Sequence, residues 1–276
     1  MRALEAVERW GAGSVAIGVI DASGRRWVRG PATEVRPLAS VTKLLVAMAV
    51  LVAAEEDSIE LEDAAGPPSS TIAHLMSHAS GLGLDDASRV LAPAGARRIY
   101  SNAGIEVAAT HLQQRTGIAF AEYLHEGVIS PLGWTGFRLD GSPAHGGHAS
   151  LEDLLRLCAE LLEPRLVQAE TLRRARTTAF PGLSGVVPGF GHQRPCDWGI
   201  GFEVAGRKQP HWIAPASSPE TFGHFGRSGA FLWVDPVAQV ACAALCEAPF
   251  GPWAKQAWPA LGDAVLKELD RVSNRL

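Results

Sequence analysis

A serine and a lysine precede the longest uninterrupted apolar run of the chain. Ser40 and Lys43 are three positions apart, and the eleven residues that follow, 44–54, are all apolar. On a helix, residues three apart share one face. If that face is buried, loss of water favours the neutral lysine amine, which can accept the proton of the serine hydroxyl. The pair therefore predicts a nucleophilic serine with Lys43 as its base.

The same two residues also have a purely structural interpretation. Ser40 stands just before the helix formers 41–55 and is the expected N-cap of that helix. This position would favour negative charge that develops during acylation. In the structural interpretation, Ser40 only caps the helix and Lys43 extends its amine to water. Ser-x-x-Lys is a short pattern that also arises by chance, so the motif alone does not separate the two.

The triplet Tyr100-Ser101-Asn102 is a second candidate for chemistry. The chain contains only two tyrosines and two asparagines, so about 0.015 chance Tyr-x-Asn pairs are expected. The triplet lies in a turn-like stretch ahead of a helix, where side chains can point into a cleft. The structural alternative is a tyrosine packed in the core and an asparagine that caps the next helix.

Strand-like segments near both ends of the chain enclose a middle that is mostly helical. A hairpin is predicted near the start, after one short helix, because turn residues 21–24 join two strand-like runs. Between about 60 and 180 the apolar spacing is typical of helices, and a closing amphipathic helix is predicted over 252–272. The predicted strands are 14–20, 25–30, 198–204, 228–236 and 238–249.

This arrangement predicts an α/β fold in which one antiparallel sheet, built from N- and C-terminal segments, is flanked by helices. We expect a single domain over 1–276, with an α/β part at about 1–60 and 195–276. A mostly helical subdomain is expected to be inserted at about 61–194. A cleft between the two parts is the expected place for a functional site.

A third motif, His-Phe-Gly at 224–226, follows the first two in chain order. With it the chain resembles the serine β-lactamase and penicillin-binding-protein superfamily, specifically its class C-like branch, which also contains esterases and D-amino peptidases. That family has Lys-Thr-Gly or His-x-Gly here, ahead of a sheet strand. His-x-Gly also occurs at His125 and His145, and chain order and context select His224. The resemblance covers about 14–250 and implies a β-lactamase/transpeptidase-like fold.

The resemblance implies a role for each polar residue of the site. Ser40 would be the acylated nucleophile, and Lys43 would take its proton. Tyr100 would carry protons to the leaving group and activate the water that attacks in deacylation. Asn102 would form a hydrogen bond with Lys43 or with a substrate amide. The oxyanion hole would comprise the backbone amides of Ser40 and Arg227.

The third motif departs from the family pattern. In β-lactamases and peptidases of this superfamily it supplies a lysine and a hydroxyl that bind the substrate carboxylate. Phe225 lacks the hydroxyl, and His224 is largely neutral at physiological pH if unperturbed. The residues expected to contact substrate are His224, Phe225, Gly226 and Ser228. Arg227 or Ser228 could supply a group that compensates for the missing lysine and hydroxyl. A carboxylate would otherwise lack partners, so we predict weak or absent penicillin turnover and measurable hydrolysis of short-chain aryl esters.

The predicted function is a serine hydrolase or acyltransferase that forms an acyl-enzyme on Ser40 from a small ester, amide or lactone. The alternatives are a β-lactamase or D-alanyl carboxypeptidase and, from another class, a catalytically silent binding protein that uses the same pocket. The motifs do not separate hydrolysis from acyl transfer. Gly-x-Ser-x-Gly, a Walker phosphate loop and Gly-x-Gly-x-x-Gly do not occur, which argues against α/β-hydrolase, nucleotide and nicotinamide chemistry.

Composition and charge limit the expected partners. The 25 basic and 29 acidic residues give a net charge of −4 without a basic cluster, so nucleic acid is not expected as a partner. The apolar run 44–54 is too short to span a membrane. Glu5 and Glu8 interrupt the apolar core that a signal peptide needs, so a cytoplasmic protein is expected. The expected partner is a small-molecule substrate, and the sequence predicts no oligomeric state.

No cofactor or metal ion is expected. The four cysteines form no Cys-x-x-Cys pair, and free thiols in the core are predicted. His145 and His148 flank two glycines, which favours a flexible loop over a metal site.

Other residues receive structural interpretations. His78 is expected to fix the loop that leads to Tyr100. Trp198 and Trp233 are expected in the core between sheet and helices, with lining of the cleft as the alternative. Asp197 and Glu203 are candidates for a role in deacylation that no sequence argument places.

Overall fold

Eleven β-strands and seven α-helices form within residues 1–273, which a computed structural model of the chain describes. The strands are β1 (Val15–Asp21), β2 (Arg26–Arg29), β3 (Arg36–Pro37), β4 (Arg138–Leu139), β5 (Gly147–Ala149), β6 (Gly185–Val187), β7 (Gly191–Gln193), β8 (Glu203–Val204), β9 (Phe222–Phe225), β10 (Phe231–Asp235) and β11 (Val240–Cys246). The helices are α1 (Thr42–Glu55), α2 (Ile72–Met76), α3 (Asn102–Thr116), α4 (Phe120–Leu124), α5 (Leu151–Leu162), α6 (Ala169–Ala175) and α7 (Pro252–Ser273). Two 3-10 helices, Arg2–Arg9 and Ala39–Val41, and a π-helical turn, His125–Ile129, complete the elements.

Strands from the two ends of the chain lie side by side in one six-stranded sheet. Its order is β2-β1-β11-β10-β9-β8, and all neighbouring strands are antiparallel. β1 pairs with β11 along its whole length, from Val15 opposite Cys246 to Asp21 opposite Val240. The predicted α/β fold, with an antiparallel sheet of N- and C-terminal segments flanked by helices, is confirmed.

Both faces of this sheet are buried against helices. Side chains alternate between the two faces of a strand. Ala16 and Leu232 belong to one apolar core, which includes residues of α1, α3 and α5. Ile17 and Trp233 belong to a second core, with residues of α7 and of the N-terminal 3-10 helix. The sheet is therefore the middle of three layers, and its central strands β1, β11 and β10 are apolar except for an aspartate at the end of β1 and of β10, because neither face meets water.

Helix α1 is buried on all sides. Its residues from Thr42 to Ala53 are all buried, and the helix packs against α3, α4, α6 and β9. A helix that is apolar around its whole circumference belongs in a core rather than at a surface. The first turn of α1 therefore carries Lys43 into the interior.

The middle of the chain is less helical than the sequence predicts. α2 has only five residues, and soon after its end His78 has a φ of +58°, in the left-handed region that stops a helix. Residues 77–101 continue as turns, bends and isolated bridges, although Leu82 among them is anchored in the core. Two small sheets also form here, one of β3, β5 and β4 and one of β6 and β7. Apolar residues in this region therefore mark burial of loops as well as helices.

Helix α5 lies on the sheet. It contacts β1, β10 and β11, and a Cβ atom at Gly18 would come within 2.8 Å of Leu155. The glycine thus lets helix and strand approach closely. α5 falls within 61–194, the range predicted for the helical subdomain, but it belongs to the layers around the sheet. The division of the chain into two parts otherwise stays a prediction.

The sheet edge near the third motif differs from the predicted strands. The strand expected over 198–204 is reduced to Glu203–Val204, because Gly201 has a φ of +80° and the chain turns before it. The third motif was expected ahead of a strand. The motif does precede a strand, β10, and His224 itself lies within another strand, β9, opposite Leu232 of β10.

The cysteines are buried free thiols, as predicted: Cys158, Cys196, Cys242 and Cys246. Among the helices of residues 1–273, none is long and apolar enough to cross a membrane. The cytoplasmic location stays a prediction from the sequence.

Replacement of the N-cap of α5 should lower stability measurably. Ser150 Oγ accepts a hydrogen bond from the backbone N–H of Asp153, and Asp153 Oδ2 accepts one from the backbone N–H of Ser150. Loss of such a cap costs about 1 kcal/mol. We therefore expect Ser150→Ala to reduce the free energy of unfolding by this amount in urea titrations. The control Ser130→Ala, at an exposed serine, should change it by less than about 0.5 kcal/mol. Equal effects of the two variants would contradict the assignment of the cap.

Candidate active site

Ser40 lies on the short 3-10 helix that leads into α1. Ala39, just before it, has a φ of +46°, and α1 begins at Thr42 with Val41 at the N-cap position and no side-chain cap. The prediction that Ser40 caps this helix is therefore wrong. The physical reason is that its hydroxyl contacts two other side chains, those of Lys43 and Tyr100.

The amine of Lys43 is enclosed by polar partners inside the core. The side chain is almost fully buried, with 1% exposed. Its Nζ lies 3.0 Å from Ser40 Oγ, 2.7 Å from Asn102 Oδ1 and 2.9 Å from the carbonyl oxygen of Ala144. Lys43 thus does not extend its amine to water, which removes the structural alternative considered for it.

These contacts give the amine the character of a base. Burial lowers the pKa of Lys43 to about 7, although the charges of Asp85 and Glu106 oppose the shift. A neutral amine has two N–H donors and one lone pair. The acceptors Asn102 Oδ1 and Ala144 O can take the two donors. The lone pair is then left for the hydroxyl of Ser40.

Tyr100 completes a chain of three polar groups. Its hydroxyl donates a hydrogen bond to Ser40 Oγ at 2.8 Å, and Lys43 Nζ lies 4.9 Å from the centre of its ring. Burial is the main cause that raises the pKa of Tyr100 well above its usual value. The phenol is therefore protonated at neutral pH and can act as a proton donor. The structure brings the three predicted catalytic residues together.

The Tyr-Ser-Asn triplet is held by the start of α3 and by His78. Ser101, not Asn102, is the N-cap, since its Oγ accepts from the N–H of Gly104 at 2.9 Å. The backbone N–H of Ser101 donates to His78 Nδ1 at 3.2 Å, and the His78 ring lies 4.6 Å from that of Tyr100. His78 thus has the structural place predicted for it.

Asn102 is fixed at both ends of its amide. Oδ1 accepts from Lys43 Nζ, and Nδ2 donates to Asp85 Oδ1 at 2.7 Å. The sequence gives no signal for Asp85, because an aspartate in an exposed, glycine-containing loop is normally a solvated turn residue.

The glycine of the third motif touches the turn that carries Ser40. A Cβ atom at Gly226 would overlap the carbonyl oxygen of Leu38 and lie 3.2 Å from the backbone nitrogen of Ser40. Only glycine permits this close approach of the end of β9 to residues 38–40, which we call the serine turn. Arg227 follows directly, and both Ser40 and Arg227 line the same cleft. The oxyanion hole formed by their backbone amides stays a prediction.

A cleft of about 860 Å³ opens above these residues. About half of the residues in its wall are polar or charged, but apolar atoms form most of the exposed surface of the wall. Both tryptophans considered are buried in the second core, and Trp198 also lines the cleft. The residues that line the cleft are Pro37, Ala39, Ser40, Leu84, Asp85, Tyr100, Asn102, His145, Pro188, Trp198, Glu203, His224, Phe225, Arg227, Ser228, Pro249 and Phe250.

Glu203 is an ion-paired part of the cleft wall. Its Oε1 lies 2.9 Å from His211 Nε2 and 3.3 Å from Lys208 Nζ, and its Oε2 accepts from Trp212 Nε1 at 2.8 Å. Burial alone would raise the pKa of Glu203, but Lys208 and His211 outweigh it and hold the pKa well below its usual range. Both carboxylate oxygens are thus occupied by partners other than Ser40 and Lys43.

Known proteins share this sequence pattern and fold. The family model for β-lactamase matches residues 5–266. The chain belongs to the β-lactamase family. A crystal structure of a β-lactamase from Mycobacterium bovis is 46% identical to the chain, with a TM-score of 0.95 over 97% of this chain and 99% of that one. The resemblance found in the sequence is thereby confirmed.

Solved structures of much lower identity share the fold of this chain. The LovD9 mutant of simvastatin synthase from Aspergillus terreus is 18% identical, with a TM-score of 0.82 over 97% of each chain. The octameric penicillin-binding protein homologue from Pyrococcus abyssi is 16% identical, with a TM-score of 0.74 over 97% of this chain and 76% of that one. No curated protein matches the sequence. At the level of its family the chain is of the serine hydrolase or acyltransferase kind.

The third motif of this β-lactamase family member offers no lysine and no hydroxyl. His224 Nδ1 lies 2.7 Å from the carbonyl oxygen of Phe225, which fixes the ring proton on Nδ1. Burial, with the nearby Lys43, lowers the pKa of His224 to about 3, so the ring is neutral. Phe225 packs against Phe250, with ring centres 4.9 Å apart. Arg227 is the exposed cation at this end of the cleft.

His145 and His148, for which the sequence favours a loop over a metal site, lie at different places in the structure. His145 lines the cleft, and His148 lies in β5 rather than in a flexible loop, with Nδ1 3.1 Å from the carbonyl oxygen of Gly146. Within residues 1–273, no group of three or more His, Cys, Asp or Glu side chains is arranged to hold a metal ion.

Gly226→Ala should distort the serine turn and slow the reaction of Ser40. The new methyl group would collide with the backbone at Leu38 and displace Ser40. Because a displacement of about 1 Å costs roughly 100-fold in rate, we expect at least that loss in the rate at which a fluorophosphonate labels Ser40. The control is Gly104→Ala in α3, where a Cβ atom would make only ordinary contacts at 3.5 Å. Unchanged labelling of Gly226→Ala would contradict the close approach of β9 to the serine turn.

Proposed function

We propose that this chain is a serine hydrolase or acyltransferase that forms an acyl-enzyme on Ser40 from a small ester, amide or lactone. The observation that carries the proposal is the chain of contacts from Tyr100 OH to Ser40 Oγ at 2.8 Å and on to Lys43 Nζ at 3.0 Å. Membership of the β-lactamase family supports the same class of chemistry.

In the proposed acylation, Ser40 Oγ attacks the carbonyl carbon of the substrate while its proton passes to the lone pair of Lys43. The carbonyl oxygen gains negative charge, which the backbone N–H groups of Ser40 and Arg227 would stabilise. When the tetrahedral intermediate collapses, the bond to the leaving group breaks. Tyr100 donates its proton to that group and regains one from the Lys43 ammonium. The amine ends neutral, and Ser40 carries the acyl group.

Deacylation repeats these steps in reverse with a new nucleophile. A water, an alcohol or an amine attacks the acyl carbon, and its proton passes through Tyr100 to Lys43. As the bond between the acyl carbon and Ser40 Oγ breaks, this oxygen recovers a proton from the Lys43 ammonium. Water yields hydrolysis, and an alcohol or amine yields acyl transfer.

The cleft favours a neutral, largely apolar substrate. Its third motif presents a neutral imidazole and a phenylalanine, neither of which neutralises a carboxylate. Pro188, Pro249 and Phe250 extend an apolar wall suited to an acyl chain or an aryl group. We therefore propose a small-molecule ester, amide or lactone without an essential carboxylate.

Hydrolysis of a β-lactam is the second candidate function. The observation in its favour is the 46% identity to a protein described as a β-lactamase from Mycobacterium bovis. Arg227, at the cleft, is the cation that would meet the carboxylate of such a substrate.

Labelling with a fluorophosphonate tests the role of Ser40. This probe bonds to an activated serine oxygen with loss of fluoride. We expect peptide mapping to find the label on Ser40 and Ser40→Ala to remain unlabelled, whereas Ser130→Ala is labelled like the wild type. A folded wild-type protein without label on Ser40 would contradict the proposal and favour a catalytically silent binding protein.

The rate of this labelling should rise with pH and level off above about 7. Lys43 accepts a proton only in its neutral form, and its pKa lies at about 7. Two pH units below the midpoint only about 1% of the amine is neutral, so the rate at pH 5 should be about one hundredth of the plateau. Tyr100 remains protonated throughout, so no loss is expected up to pH 9. A flat profile between pH 5 and pH 9 would exclude Lys43 as the base.

A substrate panel separates the two candidate functions. For p-nitrophenyl acetate and butyrate we expect kcat/KM to exceed that for benzylpenicillin by at least about tenfold, because a buried carboxylate would lack its partners. The measurement is steady-state hydrolysis by the wild type, with Ser40→Ala as the blank. Efficient turnover of a cephalosporin would establish the second candidate instead.

A further inference from the structure

Asp85 contacts the predicted catalytic residues only through Asn102. Its Oδ1 accepts a hydrogen bond from Asn102 Nδ2 at 2.7 Å, and Asn102 Oδ1 accepts one from Lys43 Nζ at the same distance. The loop is fastened to α3 next to this contact, since the carbonyl oxygen of Leu84 accepts from the N–H groups of Asn102 at 2.6 Å and Ala103 at 3.0 Å. The carboxylate therefore lies at a defined place beside the first turn of α3.

A carboxylate at this place permits one orientation of the Asn102 amide. An ionised carboxylate only accepts hydrogen bonds, whereas an amide has a donor end and an acceptor end. Rotation of the amide by 180° would turn Asn102 Oδ1 toward Asp85, with two acceptors facing each other. The charge on Asp85 thus keeps Nδ2 on its own side and Oδ1 on the side of Lys43.

The orientation of this amide matters for the base. With Oδ1 toward Lys43, one N–H of the neutral amine is committed to Asn102 and a second to the carbonyl oxygen of Ala144. With Nδ2 there instead, the amide would donate to the lone pair of Lys43. The hydroxyl of Ser40 and the Asn102 amide would then compete for that lone pair.

We infer that Asp85 is a positioning residue of the proposed acylation, holding the Asn102 amide so that the lone pair of Lys43 is available to Ser40. The inference rests on the proposed function. Asp85 itself contacts neither Ser40 nor Lys43 through a hydrogen bond.

The charges around Lys43 give this role a second, separate signature. Asp85 and Glu106 both raise the pKa of Lys43 against the effect of burial, and the nearby His78 and His224 are neutral. Loss of the charge on Asp85 should therefore lower the pKa of Lys43. A residue that merely stabilised its loop would not move this pKa.

The test is Asp85→Asn, with Asp86→Asn as a matched control. Asp86 is the exposed neighbour in the same loop, and its Oδ1 accepts from the backbone N–H of Ser88 at 2.8 Å. For Asp85→Asn we expect the plateau rate of fluorophosphonate labelling to fall at least tenfold and the midpoint of the pH profile to move below that of the wild type. Asp86→Asn should keep the plateau within twofold and the midpoint unchanged.

Asp85→Glu separates charge from reach. It keeps the charge with a side chain one methylene longer, so we expect the wild-type midpoint and a plateau between those of the wild type and Asp85→Asn. This variant carries the test if Asp85→Asn does not fold. The inference is overturned if Asp85→Asn keeps both plateau and midpoint, if its plateau falls without a shift of midpoint, or if Asp86→Asn behaves in the same way. Absence of label on wild-type Ser40 would instead overturn the proposed function.

Discussion

The exclusion of water from the amine of Lys43 is the condition on which the site depends. A lysine in water is protonated at neutral pH and cannot accept a proton, whereas burial in α1 lowers the pKa from 10.5 to about 7. The same shift weakens the fold. Between these two pH values the unfolded chain binds a proton that the folded chain has released, so this contribution to stability rises with pH across that window and is lowest below it. Below pH 7 the full destabilisation is on the order of 5 kcal/mol. Burial of the apolar residues in the rest of α1 helps to offset it.

Burial alone would not orient the amine of Lys43, and its hydrogen-bond partners do so. The partners of Lys43 come from three separate parts of the chain: the serine turn, the start of α3 and the carbonyl oxygen of Ala144. Hydrogen bonds among such groups are stronger in a medium of low dielectric constant, and an unmet donor or acceptor there is costly. One arrangement of the network is therefore strongly preferred.

The sequence predicted the parts of this molecule that arise from strong local patterns. The strands β1, β10 and β11, and the helix α1 beyond Lys43, are almost entirely apolar because they are enclosed, and such runs are recognisable without a structure. Lys43 and Tyr100 were recognisable because lysine and tyrosine are rare in this chain, and Ser40 from its spacing to Lys43 and the order of the motifs. The interpretation of Ser40 as a helix cap failed because its hydroxyl contacts the side chains of Lys43 and of Tyr100, and the latter is 60 positions away in sequence. The carbonyl of Ala144 and the carboxylate of Asp85 carry no local signal, since any residue has a carbonyl and exposed loops are commonly acidic. The short strand β9, with a glycine and a histidine among four residues, has no strand pattern of its own.

The contact between Gly226 and the serine turn joins residues almost two hundred positions apart. The serine turn belongs to the N-terminal segment, whereas β9 enters the sheet from the C-terminal one. During synthesis Ser40 is therefore made long before the strand that shapes its surroundings. A growing chain carries the serine before the residues that complete the cleft exist, so the proposed reactivity toward acyl compounds requires both segments to be in place. Under the proposed function, covalent labelling of Ser40 would report that the N- and C-terminal segments of the sheet have come together.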